Sequence, residues 1–163
     1  VASVAEIDPR TLRFEPLRIG HIPRILEIEK DSNSAPWSEK SFQNELDNKQ
    51  SIFLVALSGN TIVGYGGLWV CIDEAHITTL AVAPEARRNG IGKAIMVQLL
   101  SRAQELGLVC STLEVRAGNQ PAIELYKELG YKETSRRRGY YPDNKEDAVV
   151  MWMHSLQEWK PAA

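Results

Sequence analysis

The chain has 163 residues, enough for one domain with a substantial core. Its apolar share of 44%, charged share of 25% and net charge of −2 are those of an ordinary soluble globular protein, with no overall field to draw it onto nucleic acid or a membrane. Two cysteines, Cys71 and Cys110, provide no disulfide framework and suit a reducing cytoplasm, and no apolar stretch is long enough to span a bilayer.

Residues 1–10 read as a flexible tail without the basic start and long apolar run of a signal peptide, and the absence of an initiator Met points to processing or trimming. A single domain is expected over 11–157, with a short tail over 158–163. Leu12, Phe14 and Pro16 alternate with Arg13 and Glu15, which predicts a first strand with an edge proline. From Gly20 a helical face gathers Ile22, Ile25, Leu26, Ile28 and Glu29. Ser38 caps the next helix, with Phe42 and Leu46 on one face. Strands follow over 52–57 and 61–72, joined at Ser58-Gly59-Asn60, and the tight connection Asp73-Glu74 leads to a strand over 75–83.

That strand runs into Arg87-Arg88-Asn89-Gly90-Ile91-Gly92-Lys93. Glycines let backbone N–H groups approach a ligand, and the start of a helix adds a partial positive charge. The combination suits a pyrophosphate. A Walker A loop would need Gly at 87 and Ser or Thr at 94, where Arg and Ala stand. A dinucleotide fingerprint would need a third glycine at Ile95. The following helix places Ile91, Ile95, Leu99, Arg102, Ala103 and Leu106 on one face and stops at Gly107. A strand covers 110–117, then Asn119 caps a helix with Pro121 in its first turn and Ala122, Leu125, Tyr126 and Leu129 inward. Two last strands cover 131–138 and 148–156. The order βααββββαβαββ predicts one mixed sheet with helices on both faces, of the α+β class.

Read by spacing, Glu114 shares a strand face with Thr112 and Arg116, as a solvated carboxylate or an Arg116 ion pair does. Tyr126 at helical spacing fits a core position. His21, His76 and His154 lack ligand spacing, so no metal is expected. Arg136-Arg137-Arg138 with Tyr140 and Tyr141 has the composition of an RNA-binding patch, but Asp143, Glu146 and Asp147 follow at once, and the segment reads as the rim of a groove.

From about residue 12 to 157 the chain resembles the GCN5-related N-acetyltransferases (GNAT), whose R/Q-x-x-G-x-G/A loop matches Arg87 to Gly92. Within them it is similar to the RimI-type ribosomal-protein alanine N-acetyltransferases at Pro36-Trp37-Ser38, Asp73-Glu74-Ala75, Leu113-Glu114-Val115-Arg116, Asn119 with Leu125-Tyr126, and Arg137-Arg138-Gly139-Tyr140-Tyr141 with Glu146-Asp147-Ala148. Gly118 and Ala86 depart from the family pattern, Gly118 standing where Ser is usual.

The resemblance implies a mostly antiparallel sheet with a splayed central pair of strands. It implies acetyl-CoA as co-substrate, held by the backbone of Leu80, Ala81 and Val82, by Arg87, Arg88, Asn89, Gly90, Ile91, Gly92 and Lys93, and by Asn119. In that family the Glu at 114 is the general base and the Tyr at 126 the acid for the thiolate; burial would move the base toward a useful pKa. Trp37, Asp73, Glu74 and Tyr141 would line a peptide groove. The implied partner is a protein N-terminus, such as that of a ribosomal protein, met in the cytoplasm by a monomer or weak dimer. Lysine or small-amine acetylation on the same fold, and a non-catalytic acyl-CoA-binding module, are the alternatives.

Overall fold

The structure, a computed structural model, describes residues 6–161. Seven strands hydrogen-bond in the order β1-β2-β3-β4-β5-β7-β6. The chain order is β1 (Arg13–Pro16), α1 (Ile22–Ser32), α2 (Glu39–Asp47), β2 (Ser51–Ser58), β3 (Thr61–Cys71), β4 (Glu74–Val82), α3 (Ile91–Glu105), β5 (Cys110–Arg116), α4 (Gln120–Leu129), β6 (Lys132–Arg137) and β7 (Ala148–Met153). The stretch 51–82 folds into the three strands predicted for it, so the order is βααβββαβαββ rather than the expected βααββββαβαββ. The class is the mixed, mostly antiparallel one expected.

The chain forms two compact units, and β3, β4 and α3 each run through both. The first holds the chain up to Leu68 and Thr79–Leu99. There β1 pairs antiparallel with β2, Phe14 opposite Ala56. Ser38 caps α2 as expected, its hydroxyl accepting from the Ser41 N–H at 3.1 Å. Phe42 is fully buried but Leu46 is exposed; Glu45 turns inward instead, accepting from the Ser51 hydroxyl at 3.1 Å. Gly64 and Gly66 let α3 approach β3. A Cβ at Gly64 would lie 2.8 Å from the Ala81 carbonyl oxygen, and one at Gly66 2.7 Å from Ile95 Cγ2.

Glu29 is a buried carboxylate with three partners in this unit. It accepts from the Tyr65 hydroxyl at 2.5 Å, the Trp37 N–H at 2.9 Å and the Asn33 amide at 3.1 Å. Burial, then the Glu29 carboxylate, pushes the Tyr65 phenol well above its usual range. The tail expected over 1–10 is part of the fold from Ile7 on, since the Ile7 N–H donates to Asn89 Oδ1 at 3.1 Å and a 3-10 turn begins at Pro9. Residues 1–5 lie outside the described residues.

The second unit holds Trp69–Thr78 and the chain from Leu100 on. Parallel pairing of β4 with β5 covers only Glu74 to His76 against Cys110 to Thr112, although the strands run on to Val82 and Arg116. Central strands that stop pairing leave backbone groups for another partner. β5 pairs antiparallel with β7, Glu114 opposite Val150. β6 is exposed along its length, and its pairing with β7 shifts register between Glu133 and Ser135. Arg102 and Leu106, expected on the inner face of α3, are exposed. In α4 the buried residues are Ile123, Tyr126 and Leu129, so the inner stripe runs through Ile123 rather than Ala122 and Leu125. The expected C-terminal tail is tied in at Trp159, whose indole N–H donates to the Leu129 carbonyl at 2.8 Å.

Candidate active site

In the first unit, Leu80 and Val82 are half-buried on β4, and Ala81 is buried. The Arg87 guanidinium donates to the Val82 carbonyl at 3.3 Å and to the Ser32 hydroxyl at 3.4 Å. Two residues of the loop are left-handed, Arg88 at φ +68° and Gly90 at φ +75°. The Asn89 side chain is spent within the protein, its amide donating to the Ala86 carbonyl at 2.9 Å and the Arg87 carbonyl at 3.2 Å. Ala94 donates to the Gly90 carbonyl at 3.1 Å, so α3 begins directly behind the loop. The N–H groups of Ile91, Gly92 and Lys93 therefore lie in its first turn, where a helix supplies no acceptor of its own. Arg88 is exposed and Gly92 and Lys93 half-buried. Oriented N–H groups beside Arg88 and Lys93 are the donor set a pyrophosphate requires. Trp37 packs its ring 5.3 Å from Phe42.

In the second unit, Glu114 is exposed, a correction to the burial expected for it, and Arg137 lies 3.8 Å away. Its charge, first among the causes, raises the pKa of the neighbouring Tyr140 phenol. Tyr126 is buried, its ring 5.9 Å from Tyr131. Burial, then the Tyr141 phenol, pushes Tyr126 well above the usual phenol range and keeps it protonated. Asn119 caps α4, its Oδ1 accepting from the Ala122 N–H at 3.3 Å. Glu74 pairs with His76 at 3.0 Å, and burial followed by the Glu74 carboxylate raises the Cys110 thiol. Asp73 is exposed, and its carbonyl accepts from the Val109 N–H at 2.8 Å.

One cluster here was not anticipated in the sequence. Arg116 makes two 3.1 Å bonds to Asp143 and lies 3.4 Å from Glu146, and its guanidinium sits 3.9 Å over the Tyr141 ring. Glu146 accepts from the Gly118 N–H at 2.7 Å, and a Cβ at Gly118 would lie 2.6 Å from that same carboxylate. The clamp thus fastens the strand-to-helix turn at Gly118 to Glu146. The signal available was the acidic run 143–147 after a lone Arg116, with no spacing rule to pair them.

The first unit thus carries an oriented-N–H anion loop at the end of a strand, the kind of element that holds a coenzyme's pyrophosphate, and the second carries an exposed carboxylate and a buried phenol. The model of the acetyltransferase (GNAT) family matches residues 22–131, and the chain belongs to this family. It is 36% identical over 132 residues to the ribosomal protein bS18-alanine N-acetyltransferase of Escherichia coli K12, covering 80% of this chain and 88% of that one. The crystal structure of the Escherichia coli ribosomal-protein-S18-alanine N-acetyltransferase superposes with TM-score 0.82 at 30% identity, over 93% and 96% of the two chains. Arabidopsis thaliana NAA60 in complex with acetyl-CoA shares the fold, with TM-score 0.80 at 20% identity over 88% and 98%. The protein is an N-acetyltransferase with acetyl-CoA as co-substrate. Among the described residues no cluster has the makings of a metal site, and no helix is long and apolar enough to cross a membrane.

Proposed function

We propose that this protein acetylates the α-amino group of a protein N-terminus in the cytoplasm, an N-terminal alanine of a ribosomal protein being the substrate. The observation that carries the reading is the 36% identity to the Escherichia coli enzyme named for that reaction. The chemistry agrees. An α-amine of pKa about 7.8 is roughly one-third neutral at pH 7.5, whereas a lysine amine is about 0.1% neutral. A solvent-accessible carboxylate such as Glu114, acting directly or through a water, therefore has less to do for an α-amine. Glu114 takes the amine proton as the nitrogen attacks the thioester carbon. The Val82 N–H donates to the developing oxyanion, an interaction worth about 3–4 kcal/mol when preorganised. Tyr126 gives its proton to the departing thiolate. Arg88, Lys93 and the N–H groups of 90–93 hold the pyrophosphate, and no cysteine carries the acetyl group. Trp37, Tyr141, Asp73 and Glu74 receive the peptide.

Two peptides test the reading: one with a free N-terminal alanine and blocked lysines, one with a blocked N-terminus and a free lysine. Acetylation mapped by mass spectrometry to the α-amine of the first is the expected result. Transfer confined to the lysine reassigns the substrate, and binding of acetyl-CoA without turnover of either leaves a binding module.

A further inference from the structure

We propose that the segment entering β1 is a working part of the cofactor loop: Ile7–Pro9 braces the loop through Asn89, which acts as a positioning residue. The inference rests on the reading that this loop holds pyrophosphate. The segment precedes the family match at residue 22. Asn89 stands between the two left-handed residues, Arg88 and Gly90, and a left-handed arginine is a strained conformation that its surroundings must hold. Its side chain supplies three bonds. The amide takes the carbonyls of Ala86 and Arg87 at 2.9 and 3.2 Å, and Oδ1 takes the Ile7 N–H at 3.1 Å. A planar trans peptide points its N–H opposite its carbonyl. With the Arg87 carbonyl turned to Asn89, the Arg88 N–H faces away, free to meet a ligand. Pro9 lies over the far side of the turn, its Cγ 3.7 Å from where a Cβ on Gly90 would sit. The segment carries its own stiffening. Asp8 accepts from the Arg10 N–H at 2.9 Å and pairs with the Arg10 guanidinium at 2.9 Å, turning the chain at Pro9. Loop, Asn89 and entering segment thus form one hydrogen-bonded unit, joined across the sequence by the Ile7–Asn89 bond.

The test compares the full chain with a form lacking residues 1–9 and with Ile7→Pro, which removes the N–H donor at position 7. Amide exchange at 88–93 without ligand and calorimetric titration with coenzyme A are the readouts. In both variants exchange at these amides accelerates about five- to tenfold and the coenzyme A Kd rises by a similar factor, the value of about one net hydrogen bond, while the KM for the peptide stays at the parent value. Parent-like exchange in both variants overturns the brace. So does faster exchange with unchanged coenzyme A affinity. If even the parent chain fails to bind coenzyme A, the loop's pyrophosphate role fails, and the exchange comparison alone decides whether the segment braces the loop.

Discussion

Tyr126 and Glu114 differ in surroundings as their proposed tasks require. A phenol held above its usual range stays protonated until the thiolate leaves, and an exposed carboxylate can reach an incoming amine. Tyr126→Phe is expected to lower kcat about 10²- to 10⁴-fold with coenzyme A affinity unchanged, read from steady-state rates and titration. Glu114→Gln is expected to lose most rate at low pH, where the amine is most protonated; a flat ratio of rates from pH 6 to 9 contradicts the assignment. Glu146 supplies a pH-dependent test of the loop clamp. Its carboxyl lies below the ordinary value, chiefly through the Gly118 N–H and then Asn144 and Arg116, against opposing desolvation. A group depressed in the folded state contributes stability above its unfolded pKa, near 4.5, that is lost as pH falls through the lower folded value. Protection of the Gly118 amide is therefore full at pH 6 and decays below about 4.5, and Glu146→Gln shifts or abolishes that decay. At this scale the sequence was read well where chemistry is local, as for Ser38 and Asn119, whose caps need only their own first turn. Glu29 was placed on the buried face of α1, where it is found, but its partner Tyr65 was not legible, lying 36 positions away.

At the scale of elements, the helix behind the loop is fixed by what β3 lacks. Gly64→Ala brings a methyl against the Ala81 carbonyl, which is backbone and does not yield, whereas at Gly66 it meets side-chain methyls of Ile95 and Leu99. Overpacking of this kind costs about 1–3 kcal/mol, and the larger loss is expected at Gly64. Urea titration reads it as a lower midpoint with unchanged slope. Gly64→Ala is also expected to raise the KM for acetyl-CoA, because the displaced Ala81 carbonyl lies between Leu80 and Val82. Periodicity predicted the existence of α3 and α4, since apolar spacing of 3.6 survives any tertiary context. The expected Ile91, Ile95, Leu99 and Ala103 of α3 and Tyr126 and Leu129 of α4 are buried, but Leu106 and Leu125 were wrongly taken inward, because leucine alone does not say which flank of a broad face is covered.

At the scale of the whole molecule, the loop, the clamp and the family likeness were legible to different degrees. The loop and the proposed base and acid were picked out by matching short patterns; the clamp and the Ile7–Asn89 tie were not, because both join residues that are far apart in sequence and ordinary in type. The C-terminal segment is another such case. Leu156 is fully buried, Gln104 donates to the carbonyls of Leu156 and Trp159 at 2.9 and 2.6 Å, and Gln157 donates to the Leu108 carbonyl at 2.7 Å. Ending the chain after Ser155 is expected to destabilise it by about 3 kcal/mol or more, from one buried leucine and several lost hydrogen bonds, while ending it after Lys160 changes little. Thermal midpoints of the two truncations distinguish them. The last strand of the sheet carries a different consequence. β6 presents Lys132, Glu133, Arg136 and Arg137 to solvent and breaks step near Thr134, while the opposite border ends in Pro16 on β1. A stranger's strand finds no clean ladder to join at either border. Crowded solutions of this protein, and chains newly released at high local concentration, are thereby shielded from the sheet-to-sheet accretion that begins many aggregates.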